Sequence, residues 1–192
     1  MWLGDPVQYQ HYSELQKMME CLTNDYSKWR EDFIIDDVGI DAQERYMMPK
    51  WNKHGMMTLP VIDARKVIPN YAKGWEQSME QAFKIPGMLD MCINFIRPGK
   101  MLPKHHDGYV WGWIRDSFGD NTIEGYTISF GVDIPEPENQ ALVFGERTMV
   151  WNTGEFRGFC GEDTVHYMKN EGNPDHWRVT AVMEIEGKYF NV

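Results

Sequence analysis

Residues 102–108 read Leu102-Pro103-Lys104-His105-His106-Asp107-Gly108. On an extended segment, side chains two apart point to the same side. His105 and Asp107 therefore share one face and His106 takes the other. An imidazole and a carboxylate on one face can share a metal ion, which the adjacent pair His106 and Asp107 would find harder. By itself the pattern is weak, because a histidine hydrogen-bonded to a nearby aspartate in a turn gives the same letters. A third ligand has to come from elsewhere. Of the six histidines, His166 is the best candidate, at the start of a candidate strand in Asp163-Thr164-Val165-His166-Tyr167. Two histidines and one carboxylate leave three positions of an octahedral ion open, an arrangement that suits non-haem Fe(II).

The sequence around these residues is β-like. Met91 to Ile96 is a short apolar run ending at Arg97-Pro98-Gly99, a strand followed by a turn. Tyr126 to Ile134, stopped by Pro135, is a second strand. Ala141 to Phe144 and Arg147 to Trp151 follow, separated by Gly145, and Val165 to Lys169 and Arg178 to Ile185 complete the set. Short strands punctuated by Gly, Pro and Asn, without helical crossovers, predict a sandwich or jelly roll and not a parallel sheet.

Residues 1–90 have a different texture. Apolar residues at Tyr12, Leu15, Met18, Met19, Leu22, Tyr26 and Trp29 step by three and four, the pattern of an amphipathic helix, with a break expected near Asn24-Asp25. A second helix is expected over 70–83, weakened by Gly74. Met47 to Pro69, with three prolines and Gly55, reads as loop and short strand. The chain is thus expected to be a single domain over 1–192, with 1–90 mostly helical and 91–192 the β core.

Arg178 sharpens the functional reading. In Arg178-Val179-Thr180-Ala181-Val182-Met183-Glu184-Ile185 the alternation is clear. Val179, Ala181, Met183 and Ile185 form an apolar face, and Arg178, Thr180, Val182 and Glu184 form the other. An Arg and a Thr on one side of a strand can grip a carboxylate through the guanidinium fork and the hydroxyl. An arginine on a solvated strand face is the competing reading, weakened by a candidate metal ligand one strand upstream.

Together these stretches resemble the Fe(II)/2-oxoglutarate-dependent oxygenases, most closely the aspartyl/asparaginyl β-hydroxylase-like branch. The resemblance is carried by Arg97-Pro98-Gly99, Leu102 to Asp107, Ser129 to Pro135, Trp151 to Glu155, and His166 through Asn170 to Arg178, in order over residues 91–186. It implies an α+β, mainly β fold, a double-stranded β-helix (jelly roll, cupin-like) with N-terminal helices packed on it. It implies that His105, Asp107 and His166 bind Fe(II), that Arg178 pairs with the distal carboxylate of 2-oxoglutarate with Thr180 as helper, and that O₂ is the oxidant. The animal peptide hydroxylases of that branch lack the carboxylate ligand, whereas Asp107 stands here. Basic residues that they carry before the Ser129 segment are replaced by Gly125-Tyr126-Thr127-Ile128.

The segment Gly108-Tyr109-Val110-Trp111-Gly112-Trp113 places three aromatics between glycines. It reads as a lid over a substrate, with Tyr109 and Trp111 as substrate contacts, or as a surface hairpin. His11, His54, His106 and His176 are read as solvated or structurally bonded.

Bulk properties bound the rest. Apolar residues make up 42% of 192 residues, enough for one sizeable core. The net charge of −10 lacks the overall basic footprint that nucleic-acid binding usually needs, which lowers that reading but leaves room for a local basic patch. The three cysteines form no CxxC pair, so a zinc ribbon is not expected. A reducing cytoplasm, no membrane and no signal peptide are expected. The substrate is a protein side chain, an amino acid or a small metabolite. Two other classes fit parts of the sequence: a cupin-type metalloenzyme holding zinc or another divalent ion without 2-oxoglutarate, and a non-catalytic jelly-roll binding module.

Overall fold

The structure is a computed structural model, and it describes residues 2–4, 6–32, 54–69, 73–171 and 176–191. Eleven strands form two antiparallel sheets. In chain order they are β1 (Trp2–Gly4), β2 (Met56–Asp63), β3 (Lys66–Val67), β4 (Met88–Ile96), β5 (Met101–His105) and β6 (Gly125–Asp133). Then come β7 (Leu142–Phe144), β8 (Arg147–Met149), β9 (Phe156–Phe159), β10 (His166–Lys169) and β11 (Arg178–Glu186). The major sheet has the order β1-β9-β6-β11-β4-β2-β3 and the minor sheet β5-β10-β7-β8. From β4 onward the chain crosses between sheets at nearly every connection, with only β7 and β8 joined as a hairpin. That alternation is the winding of a double-stranded β-helix, a jelly roll.

The alternation read in β11 decides what each face of the major sheet does. Val179, Ala181, Met183 and Ile185 are all buried in one cluster with Ile93 and Phe95 of β4. The same cluster takes in Leu15, Met18 and Leu22 of helix α1 (Tyr12–Asp32), and Ala82 of helix α2 (Glu76–Ala82). Burying each large apolar side chain there contributes about 1.5–3 kcal/mol. The opposite face of β11 looks between the sheets, where Ile96, Leu102, Phe144, Trp151 and Met168 form a second cluster.

Helix α1 runs unbroken through Asn24-Asp25. Asp25 is buried, and its carboxylate accepts the backbone N–H (2.7 Å) and the hydroxyl (2.8 Å) of Ser78 in the first turn of α2. It is thus spent on an orphan donor at another helix's N-terminus instead of turning its own backbone. The second expected helix is observed only over Glu76–Ala82, and positions 70–72 lie outside the described residues.

Among the described residues of the first 90, β1, β2 and β3 belong to the major sheet beside the two helices. The short strand expected within Met47 to Pro69 is β2, Met56–Asp63, and it contains Pro60. The strand tolerates it beside a register shift between Pro60 and Ile62, where a proline removes no regular ladder bond. Of the segment 47–69, positions 47–53 lie outside the described residues. No described helix is long and apolar enough to cross a membrane.

Candidate metal centre and its cavity

Strand β10 pairs with β5 so that His166 lies directly opposite His105. The ring centroids are 4.3 Å apart. Each ring is fixed the same way: Nδ1 of His105 lies 2.8 Å from the Pro103 carbonyl, and Nδ1 of His166 lies 2.8 Å from the Thr164 carbonyl. A carbonyl only accepts, so Nδ1 carries the proton and the Nε2 lone pair is left for a ligand. Both Nε2 atoms are 3.5 Å from Asp107, one from each carboxylate oxygen. One ligand atom from each of the three residues lies within 4.8 Å of the others.

Asp107 sits where β5 gives way to helix α3 (Gly108–Phe118), and its N–H donates to the Gly161 carbonyl at 2.8 Å. A Cβ on Gly161 would collide with the Asp107 carboxylate, so the missing side chain is what leaves room for the third donor. Phe144 and Phe159 pack against the His166 ring at 5.3 and 5.4 Å. Burial lowers the His166 pKa, and it raises that of Asp107 against the pull of the His105 and His106 imidazoles. Two imidazoles with both Nε2 atoms beside one carboxylate, and no described lysine or arginine paired with it, form a donor set suited to a divalent cation. His106 is exposed and accepts the Gly108 N–H at 3.2 Å, facing away from the cluster.

Arg178 opens the inner face of β11 and is fully buried. Its Nε donates to the Gln140 carbonyl at 2.8 Å, and its Nη1 lies 3.3 Å from Thr180 Oγ1 and 3.1 Å from Met168 Sδ. The guanidinium stacks 4.7 Å from the centre of the Trp151 ring. Among the described residues Nη2 has no partner and no carboxylate pairs with the charge. Burial alone pulls its pKa down to about 9. A buried cation with a spare donor is costly unless an anion completes it. Thr180 therefore holds Arg178 in place as well as standing beside it.

A cavity of about 510 Å³ opens onto the triad. It is lined by Met168, beside Arg178, at one side and by Asp63, Asp90 and Glu184 elsewhere. Segment 108–118 is a helix and not a loop or hairpin. Tyr109, Val110 and Trp113 line the cavity, whereas Trp111 is fully buried with Leu89, Ile114 and Ile123 in a separate cluster. Helical spacing explains the split, since positions 109 and 113 share a face that 111 does not. The helix is tied down by a bidentate pair, Arg115 to Glu162, at 2.6 and 2.8 Å. Sequence reasoning placed Glu184 on the Arg178 face without assigning it a role and missed Asp90, although an aspartate inside the apolar run of β4 is itself a signal.

No protein-family model matches the chain, and no curated protein matches it. Among solved structures it is similar to a prolyl-4-hydroxylase of Pseudomonas putida, at 12% identity, with TM-score 0.47, over 88% of this chain and 87% of that one. It is also similar to a viral collagen prolyl hydroxylase of Paramecium bursaria Chlorella virus-1, in complex with 2-oxoglutarate (13%, TM-score 0.42, 80% and 91%). A third likeness is to an oxidoreductase of the 2-oxoglutarate/Fe(II) oxygenase family from Burkholderia pseudomallei (12%, TM-score 0.44, 78% and 76%). Identities this low leave function to be argued from the side chains of this chain.

Proposed function

We propose that this protein is a non-haem Fe(II) dioxygenase that uses 2-oxoglutarate and O₂ to hydroxylate its substrate. The reading rests on one observation: a His–Asp–His donor set and a buried arginine that no carboxylate among the described residues partners lie between the same two sheets. His105, Asp107 and His166 would hold the iron, and Arg178 would take the far carboxylate of 2-oxoglutarate, with Thr180 and the Gln140 carbonyl fixing its orientation. When bound, the metal and co-substrate supply the oxidising chemistry. The chain supplies the rest. The Pro103 and Thr164 carbonyls hold the proton of each neutral ring on Nδ1 and so aim the Nε2 lone pairs, Gly161 leaves room for Asp107, and the sheets exclude water from the Arg178 guanidinium. A zinc enzyme without 2-oxoglutarate accounts for the triad but leaves the buried charge of Arg178 uncompensated.

The test is the visible spectrum of anaerobic protein with Fe(II) and 2-oxoglutarate, because a keto acid chelating Fe(II) gives a weak charge-transfer band. The band is expected in the wild type, lost in His105→Ala, and obtained only at far higher 2-oxoglutarate in Arg178→Met. Folded, iron-loaded protein without the band would sink the proposal.

A further inference from the structure

The inner face of β11 carries a basic residue at one end and an acidic residue at the other. Arg178 and Glu184 are six residues apart on that face, about 20 Å along an extended strand. Glu184 is only 5% exposed. Its Oε2 accepts the Thr127 hydroxyl at 2.8 Å, and its second oxygen accepts nothing among the described residues although the residue lines the cavity. Directly opposite on β4 stands Asp90. Asp63, at the end of β2, accepts the Trp113 indole N–H at 2.6 Å. All three carboxylates line the cavity, and no described lysine or arginine does.

Burial raises both carboxyls above their ordinary range, so ionising this facing pair without a counter-charge is costly. For the fold alone this arrangement is a liability, whereas as half of a binding site it is complementarity. Tyr109 and Trp113, 42% and 53% exposed, line the same cavity and offer ring faces that attract cations.

We propose that the substrate carries an organic cation, a primary ammonium or guanidinium on an aliphatic chain, seated against Glu184 and Asp90. The proposal rests on the oxygenase reading for the fate of that substrate, but the seat is independent of it. The cation sits at the end of the cavity remote from Arg178, so substrate and co-substrate are sorted by charge. A free amine or basic amino acid and a lysyl or arginyl side chain present the same group.

The test is calorimetric titration of the anaerobic Fe(II)-loaded protein with 2-oxoglutarate present. The probes are 1,5-diaminopentane, L-lysine, L-arginine, acetyl-Gly-Lys-Gly-amide and acetyl-Gly-Arg-Gly-amide, with neutral 1,5-pentanediol as control. At least one cationic probe is expected to bind tenfold or more tighter than the diol, and Glu184→Gln and Asp90→Asn are each expected to weaken it by on the order of 30-fold. Both variants should keep the Fe(II)–2-oxoglutarate band. Binding of the free amines alone marks a small-molecule substrate, and binding of the blocked peptides alone marks a protein side chain; either supports the seat. The proposal is overturned if no cation outcompetes the diol in the wild type, a comparison that needs no variant to fold, or if folded variants bind the cation as the wild type does. Cation binding without the band would sink the oxygenase reading and leave the seat standing. The band without cation binding would do the reverse.

Discussion

His105 and His166 are direct partners across β5 and β10 and are oriented by the same device, a hydrogen bond from Nδ1 to the carbonyl two residues earlier. The metal-facing nitrogen of each is therefore set by local backbone, before any ion arrives. His105→Ala and His166→Ala should each reduce Fe(II) affinity by on the order of 100-fold or more. Anaerobic titration with the circular dichroism spectrum as a folding control checks this, and variants that retain wild-type affinity would exclude these residues as ligands.

Gly161 and Gly112 separate a steric role in the site from mere helix composition. Gly161→Ala would push the Asp107 carboxylate aside, and metal affinity should fall about 10–100-fold although no ligand is replaced. Gly112→Ala, with nothing within 4 Å of the added Cβ, should leave metal binding unchanged and stabilise α3 by about 0.5–1 kcal/mol. Metal titration and thermal melting of both variants read the contrast.

The acidic wall predicts a pH dependence of the ligand-free protein. Burial, then the charge of Asp63, raises Asp90 from 3.8 to about 7. The folded state thus holds a proton that the unfolded chain has released between those values. The resulting stability is fully present below about 3.8 and lost as pH rises through about 7. Urea midpoints should be higher at pH 5 than at pH 8, with Asp90 contributing about 3 kcal/mol to the difference. Asp90→Asn should flatten the difference, and an unchanged slope would exclude Asp90 as its origin.

Trp111 and Tyr109 should behave oppositely despite lying two residues apart. Trp111→Ala empties a buried cluster with Leu89, Ile114 and Ile123 and should cost about 3–5 kcal/mol. Tyr109→Ala, on the cavity face and 42% exposed, should leave the melting temperature nearly unchanged while weakening substrate binding. Denaturation curves paired with turnover assays distinguish the two.

How much of this was legible in the sequence depends on whether local spacing or distant contact sets each feature. The two faces of β11 could be read directly, because a period of two needs no knowledge of its neighbours, and the same reading held Glu184 on the face of Arg178. The proximity of His105, Asp107 and His166 was also expected, through the resemblance. Helix α3 was missed because Gly108 and Gly112 among aromatics look like a loop until Trp111 and Ile114 find Leu89 and Ile123. Strand β9 went unread because Phe156-Arg157-Gly158-Phe159 is short and contains a glycine, and its identity comes from pairing with β6. The acidic wall could not be seen at all, since Asp63, Asp90 and Glu184 meet only after β2, β4 and β11 are laid side by side.

The position of β11 between β4 and β6 also governs when the protein can acquire its shape. Strand β4 ends at Ile96 and its partner begins at Arg178, so the central pairing closes over about half the chain. Such long-range contacts are slow to close. During synthesis β4 emerges with β2 already available on one edge, while its other edge waits for the last long strand. That open, apolar edge is a template for the wrong strand. The final strand thus completes the sheet, supplies Arg178 and Glu184, and closes the intermediate's most aggregation-prone surface in a single event.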